Sequence, residues 1–293
     1  MSEKQRQVTC LADRGALVLA ACLLFLVFPF NSRTSAPRPA RYSLKANTLR
    51  AFQSYVAERD ARAQNSLTAG NFLWVDDLGK KERKEAYAQL QRGEVVLRRV
   101  AMGAESPNNE LSGGMIHDWR GIVFIPGAKL NEVLQVLKDY NHHSSYYAPD
   151  VQQSRIESRE GNHYQIFYRF RRTKVVTVVL NSEHGVDYFR DSTTKAHSRS
   201  TALRIAEVDD PGGPKEKEKQ PGDDNGFLWR METWWRMEEK DGGVYVQNEV
   251  VSLTRDIPTG LIWLIGPFIT SIPEESLEFT LAATRKAVLV MTP

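Results

Sequence analysis

Beyond residue 94, apolar and polar positions alternate with a period of two through most of the chain, and this pattern predicts strands. The clearest case is 227–237. Phe227, Trp229, Met231, Thr233, Trp235 and Met237 point one way, while Leu228, Arg230, Glu232, Trp234 and Arg236 point the other. Asp241-Gly242-Gly243 turns the chain into a partner strand at 244–254. Further strands are predicted at 95–100, 115–125, 153–158, 163–172, 175–189 and 197–208. The period changes to that of a helix in four places. Leu130, Val133, Leu134 and Leu137 mark one helix face, and 80–91 forms a helix that Gly93 stops. Leu44, Ala46, Leu49, Phe52, Val56 and Ala57 give 44–63 a modest apolar stripe. The last helix is predicted to start near Pro273, where Ser271 and Glu274 have capping-box spacing. Its stripe is Leu277, Leu281, Val288 and Met291, and a separate apolar segment, 257–272, precedes it.

These elements divide the chain into a leader and linker (1–42), a helical preamble (43–93) and a main domain (94–293). The preamble is too small to bury a core of its own, so it is expected to lie against the main domain. Residues 209–226, DDPGGPKEKEKQPGDDNG, are charged and rich in Gly and Pro. They are expected to be a solvated, disordered loop.

Ala16 to Phe30 is fifteen residues without a charge, flanked by Arg14 and Arg33. As a helix it covers roughly 22 Å, short of the ~30 Å hydrocarbon core. A secretory signal and a retained anchor both fit this segment. Pro37 directly follows the small residues Thr34-Ser35-Ala36 and would hinder cleavage there. A lipoprotein site at Cys22 is disfavoured because the apolar run continues past it. The expectation is an uncleaved membrane anchor at 16–30 with the domain outside the cytoplasm.

Charge changes the picture in one respect. The formal net charge is +3, but the first 42 residues carry six basic side chains against two acidic ones. The remainder is therefore at −1, which argues against a nucleic-acid partner, since such binding needs a basic face. Both cysteines, Cys10 and Cys22, lie in the leader, so the main domain has no disulfide, cysteine nucleophile or cysteine-bound metal.

Catalytic chemistry finds little support. His142-His143 is the one histidine pair, and adjacent histidines seldom converge on a metal, so an exposed or capping role is expected. No metal or cofactor is predicted. Asp118, Glu232 and Glu249 fall on strands, where a buried acid could act as acid or base. Arg230 and Arg236 share a face with Glu232, and an exposed charge ladder is the simpler account of it. Arg169-Phe170-Arg171-Arg172-Thr173-Lys174 is either an anionic headgroup contact or a solvated strand end.

Three stretches resemble the START-like, polyketide cyclase/dehydrase-like (SRPBCC) helix-grip superfamily. Residues 130–140, followed by Tyr147-Ala148-Pro149-Asp150-Val151 and Ser154-Arg155-Ile156, are similar to its first helix and the strand after it. Pro267-Phe268-Ile269 through Ile272-Pro273-Glu274-Glu275-Ser276-Leu277 resembles the approach to its terminal helix. The hairpin around Gly242-Gly243 matches its last two strands. The resemblance covers roughly 115–290. It implies an α+β fold in which a curved antiparallel sheet of six to seven strands wraps a long C-terminal helix.

A hydrophobic small molecule or lipid would then occupy a cavity between sheet and helix. By position, its wall would be Tyr164, Ile166, Tyr168, Phe170, Leu203, Ile205, Phe227, Trp229, Met231, Trp235, Val246 and Val250, with Leu277 and Leu281 from the helix. Leu261, Trp263 and Phe268 would sit at its mouth, where an exposed apolar patch marks a gate or membrane contact. Binding without covalent chemistry is the expectation. The alternatives are a cyclase- or hydrolase-type enzyme using Tyr168, Glu232 or an arginine in the cavity, and a scaffold with a filled core.

Overall fold

The hairpin of the aromatic strand organises the sheet. In a computed structural model, β10 (Arg230–Lys240) pairs with β11 (Gly243–Arg255) across Asp241 and Gly242, whose φ values are 55° and 78°. Two successive positive φ angles describe the turn whose twist suits a two-residue hairpin, and glycine accepts the second without strain. The structure describes residues 42–68, 71–100, 111, 113–173, 177–256 and 262–291; at 42, 68 and 262–270 it describes the backbone alone. The predicted leader and anchor at 16–30, with Cys10 and Cys22, lie outside the described residues.

The other elements are β1 (Tyr42–Ser43), α1 (Ala46–Thr68), α2 (Lys80–Gln91), β2 (Val96–Arg99), β3 (Gly114–Pro126), α3 (Leu130–Lys138), α4 (His143–Tyr146), β4 (Val151–Glu160), β5 (His163–Thr173), β6 (Thr177–Arg190), β7 (Lys195–Asp209), β8 (Lys217–Glu218), β9 (Asp223–Asp224) and α5 (Ile262–Met291). The main sheet is antiparallel and open, with strand order β2-β3-β11-β10-β7-β6-β5-β4, and β8 pairs with β7 as its ninth strand. This is larger than the expected six to seven strands, because both the short β2 and the insertion add to it.

Each face of the sheet packs on helices. One face carries Val123, Ile125, Met237, Val244 and Val246, which share a cluster with Leu130, Val133, Val136 and Leu137 of α3 and Leu277, Leu281, Ala287 and Val288 of α5. Ile122, Phe124 and Tyr245 on the opposite face pack with Phe72, Leu73, Trp74 and Val75 and with Ala86 and Leu90 of α2. Phe52, Tyr55 and Val56 of α1 pack with Ile116, Trp234, Val251 and Leu253. Gly121 is where α5 comes nearest to β3. A Cβ there would lie 2.6 Å from Leu281 Cδ1 and 2.6 Å from Leu97 Cδ2. Gly121→Ala is expected to cost about 1–3 kcal/mol through overpacking, read as a lower urea midpoint with an unchanged slope.

Three expectations need correction. Residues 209–226 are ordered rather than a disordered loop. β8 extends the sheet, β9 pairs with β1, and Glu216, Glu218 and Lys219 pair with Arg169, Arg204 and Glu207. Those acids find fixed cations on neighbouring strands, which low local complexity cannot reveal. The last helix starts at Ile262 and not near Pro273, so Ser271 and Glu274 lie in its interior and cap nothing. The face bearing Glu232 and Arg236 is no exposed ladder: Glu232 is 8% and Arg236 4% exposed, because α1 and the segment after it lie over them.

Candidate functional site

The polar contacts beneath α1 show which face is spent on holding the fold. Arg59 Nε donates to Asp118 Oδ2 at 3.0 Å, its NH2 group pairs with Glu249, and the Tyr55 hydroxyl donates to the same Asp118 oxygen at 2.6 Å. Arg199 bridges Asp60 (3.0 Å) and Glu232 (2.5 Å), and Trp234 Nε1 donates to Asp60 at 2.7 Å. Asp118 and Glu249 are buried, and so, against the expected exposed ladder, is Glu232; each is paired, and none of them shares the face packed on α5. The arginine cluster is also engaged: Arg169 pairs with Glu216, and Arg172 bridges Asp150 and Glu275. The Arg172 bridge ties β5 to α5.

The face beneath α5 is filled unevenly. At the α3 end, Val123, Ile125, Met237, Val244 and Val246 are fully buried. Towards the other end, Trp119, Tyr168, Trp235 and Val250 are only partly buried where they pack on that cluster. Beyond them a second cluster forms from Leu180, Ala202 and Ile205, with Phe170, Val178, Leu228 and Met231 against it. These two clusters share a face and meet where the Tyr168 and Phe170 rings lie 5.1 Å apart. Their facing edges are half-buried Trp119, Tyr168, Trp235, Val250, Phe170 and Met231. Large apolar side chains that retain accessible surface under a helix line an apolar site.

A network of tyrosines and histidines borders this region. His143 Nε2 lies 3.0 Å from the Val136 carbonyl, which can only accept, so that nitrogen carries the proton. Nδ1 is then the acceptor for the Tyr168 hydroxyl at 2.6 Å. Tyr140 and Tyr188 bond at 2.7 Å, Tyr188 donates to the Leu137 carbonyl, and Tyr147 bonds Thr284 of α5 at 3.0 Å. Burial holds the His143 imidazole down at about 4 and raises the Tyr168 hydroxyl well above its ordinary value. Burial thus favours the uncharged form of both partners, and the pair is a neutral hydrogen bond. His184, beside Tyr168, is likewise held at about 4 by burial. Among the described residues, no group of three or more His, Cys, Asp or Glu could hold a metal ion.

The structure separates the predicted wall. Tyr164, Ile166, Val246, Leu277 and Leu281 are packed core. Tyr168, Phe170, Ile205, Met231, Trp235 and Val250 surround the unevenly filled region. Three residues lie elsewhere. Leu203 is 60% exposed: the register shift between Glu183 and His184 turns it to the outer surface, beside Gln165 and Glu183. Trp229 precedes β10 and is buried with Phe52 and Tyr55 of α1, its indole N–H donating to Asp224 at 2.9 Å. Phe227 also precedes the strand, held through its amide by Glu207, with the Arg255 guanidinium 5.7 Å from its ring. The alternation across 227–237 thus belongs to a strand only from Arg230 onward.

Of the predicted mouth, Leu261 and the side chains of Trp263 and Phe268 lie outside the described residues. Sequence reasoning missed Trp119, although Val123 and Ile125 on the same strand mark its face by parity. It also missed His143, which is 3% exposed and bonded to Tyr168, whereas His142 is exposed and bonds Asp139.

An open antiparallel sheet with a long C-terminal helix laid across it, and a shorter helix between the third strand and the rest, decides the architecture. This is a helix-grip fold. No family model and no curated protein matches the chain. Among solved structures, the helix-grip chain is similar to a protein from Thermus thermophilus, at 16% identity over 59% of this chain and 98% of that one, TM-score 0.43. It is also similar to a STAR-related lipid transfer protein fragment from Xanthomonas axonopodis, at 16% over 66% and 98%, TM-score 0.41. A third is the Zhui aromatase/cyclase from Streptomyces sp. R1128, at 12% over 61% and 97%, TM-score 0.40. The helix-grip architecture itself rests on the strand order and on the placement of α5. Among the described residues, no helix is long and apolar enough to cross a membrane.

Proposed function

We propose that this protein binds a hydrophobic small molecule or lipid between its sheet and α5, without covalent chemistry. The uneven filling beneath α5 carries this reading. At the α3 end the two layers interlock, whereas Trp119, Tyr168, Phe170, Met231, Trp235 and Val250 keep accessible surface. Removing ligand and side-chain surface from water together gains about 0.8 kcal/mol per methylene, so ten carbons gain on the order of 8 kcal/mol before ordering costs. A neutral Tyr168–His143 hydrogen bond at the border of this region is compatible with an apolar ligand beside it.

Residues 16–30 would tether the domain to a membrane, the natural reservoir of such a ligand; fractionation of the full chain against one lacking 1–41 tests the tether. For the site, a dodecyl chain carrying an environment-sensitive fluorophore is the probe. Trp235→Ala is expected to weaken its binding at least tenfold, and Leu203→Ser, on the outer surface, to leave it unchanged. Absence of saturable binding by the wild type, or equal binding by Trp235→Ala, would overturn the reading.

A further inference from the structure

Across the middle of the face beneath α5, one row of directly opposed residues carries two polar side chains with nothing to bond. Asn248 of β11 lies opposite Trp235 of β10, and Trp235 lies opposite Ser198 of β7. Asn248 is 3% and Ser198 1% exposed, and neither Asn248 Oδ1 nor Ser198 Oγ has a hydrogen-bond partner. Directly opposed side chains in an antiparallel pair have Cβ atoms about 5 Å apart, so both groups flank the Trp235 indole.

On one side the row continues through Gly121, where Leu277 and Leu281 of α5 approach; on the other side of Ser198 stands Tyr188. No charged side chain occupies the row. Buried polar groups are mostly paired in folded proteins, and an exception calls for an explanation such as strain, a water or a ligand. Trp74, Asp118, Arg120 and Glu238, which carry the other such atoms among the described residues, lie off this row. Two exceptions on either side of a half-buried tryptophan are the observation that points to a ligand's polar atom.

We propose that Asn248 and Ser198 recognise a neutral hydroxyl on the hydrophobic ligand, with Trp235 packing against the carbon skeleton next to it. This rests on the binding reading above and narrows its ligand to an uncharged alcohol-bearing amphiphile. The chemistry follows from the atoms. The free Asn248 atom is a carbonyl oxygen, which needs a donor and repels an anion. Ser198 can donate or accept, so a hydroxyl satisfies both kinds of partner. A cationic head would need a counter-charge that the row does not offer. A site built to hydrogen-bond a hydroxyl also rejects an analogue that lacks it, because the site's own groups then stay buried and unpaired.

The test uses the full chain and three probes of equal length: 1-dodecanol, its methyl ether and dodecanoate, each titrated by intrinsic tryptophan fluorescence. The alcohol is expected to bind at least tenfold more tightly than the ether or the carboxylate. Asn248→Leu is expected to reduce the alcohol-to-ether ratio to near one while ether binding persists. Ser198→Ala, a smaller change that removes an unbonded hydroxyl, should narrow the ratio without lowering the melting temperature of the free protein. It supplies the answer if Asn248→Leu fails to fold. Equal affinities for alcohol and ether in the wild type, the result expected if an internal water serves the two groups, would overturn the proposal and leave hydrophobic binding standing. Failure of all three probes to bind would remove the hydrophobic-ligand reading and the hydroxyl site together.

Discussion

Replacing Arg59 with methionine is expected to lower the unfolding free energy by about 3–5 kcal/mol, read from urea denaturation at pH 7. Arg59 is 8% exposed and is the cation shared by Asp118 and Glu249, which are 1% and 5% exposed. Methionine fills similar volume, so packing loss is small, and the cost comes from two buried carboxylates that lose the cation bonded to both, with Arg120 and Arg236 left as neighbouring charges. Tyr55 still donates to Asp118, and Gln247 Nε2 to Glu249 at 2.6 Å, so the acids keep one neutral partner each. Neutralising them in the same chain, with Asp118→Asn and Glu249→Gln, is expected to restore much of the loss, because the charge then has nothing to answer. A loss below 1 kcal/mol in the single variant would mean that water reaches this layer and α1 is not seated as described.

Acid is expected to unfold the protein mainly between pH 6.5 and 4. His117, His143 and His184 are all buried, and burial lowers each imidazole from its ordinary 6.5 to about 4. The unfolded chain takes up protons at these groups first, so it binds more protons than the folded chain throughout that window. Their contribution is fully present above pH 6.5 and is lost as pH falls towards 4. Each histidine contributes roughly 3 kcal/mol across the window, and with all three the slope reaches ~4 kcal/mol per pH unit near its middle. Burial raises the carboxyls of Glu207, Asp118, Asp224 and Glu232, an effect of opposite sign that softens the fall. Denaturant titrations from pH 7.5 to 4.5 read the slope directly, and His184→Gln should remove about a third of it. A flat profile above pH 5 would show that these imidazoles are hydrated in solution.

Most strands of the main sheet were legible because their side chains alternate over long runs. His163–Thr173 and Gly243–Arg255 depart from the predicted bounds by one residue or so at either end. Helix α2 was legible to the residue, since Gly93 follows with a φ of 83°, a conformation glycine adopts freely. What alternation conceals is which of two faces meets which helix. Arg230, Glu232 and Arg236 read as a wet surface because charge usually means water. Here α1 brings Arg59 and Asp60 to that surface, and the segment after it offers the Ala63 and Phe72 carbonyls, so charge meets charge without solvent. Leu203 and Trp229 were misplaced by parity for a related reason: a register shift and a late strand start each break the count by which a face is assigned.

By itself the sequence determined the order and kind of elements, because hydrophobic period and turn chemistry act over a few residues and need no knowledge of distant ones. The family resemblance added the expectation that the sheet lies against the terminal helix. Tertiary structure alone decided which side chains beneath that helix are fully buried and which stay half-buried. It alone left the acceptor of Asn248 and the hydroxyl of Ser198 buried beside Trp235 with no partner. Those outcomes depend on how α3, α5 and strands β7, β10 and β11 divide one volume, a sum over residues far apart in the chain that no local pattern contains.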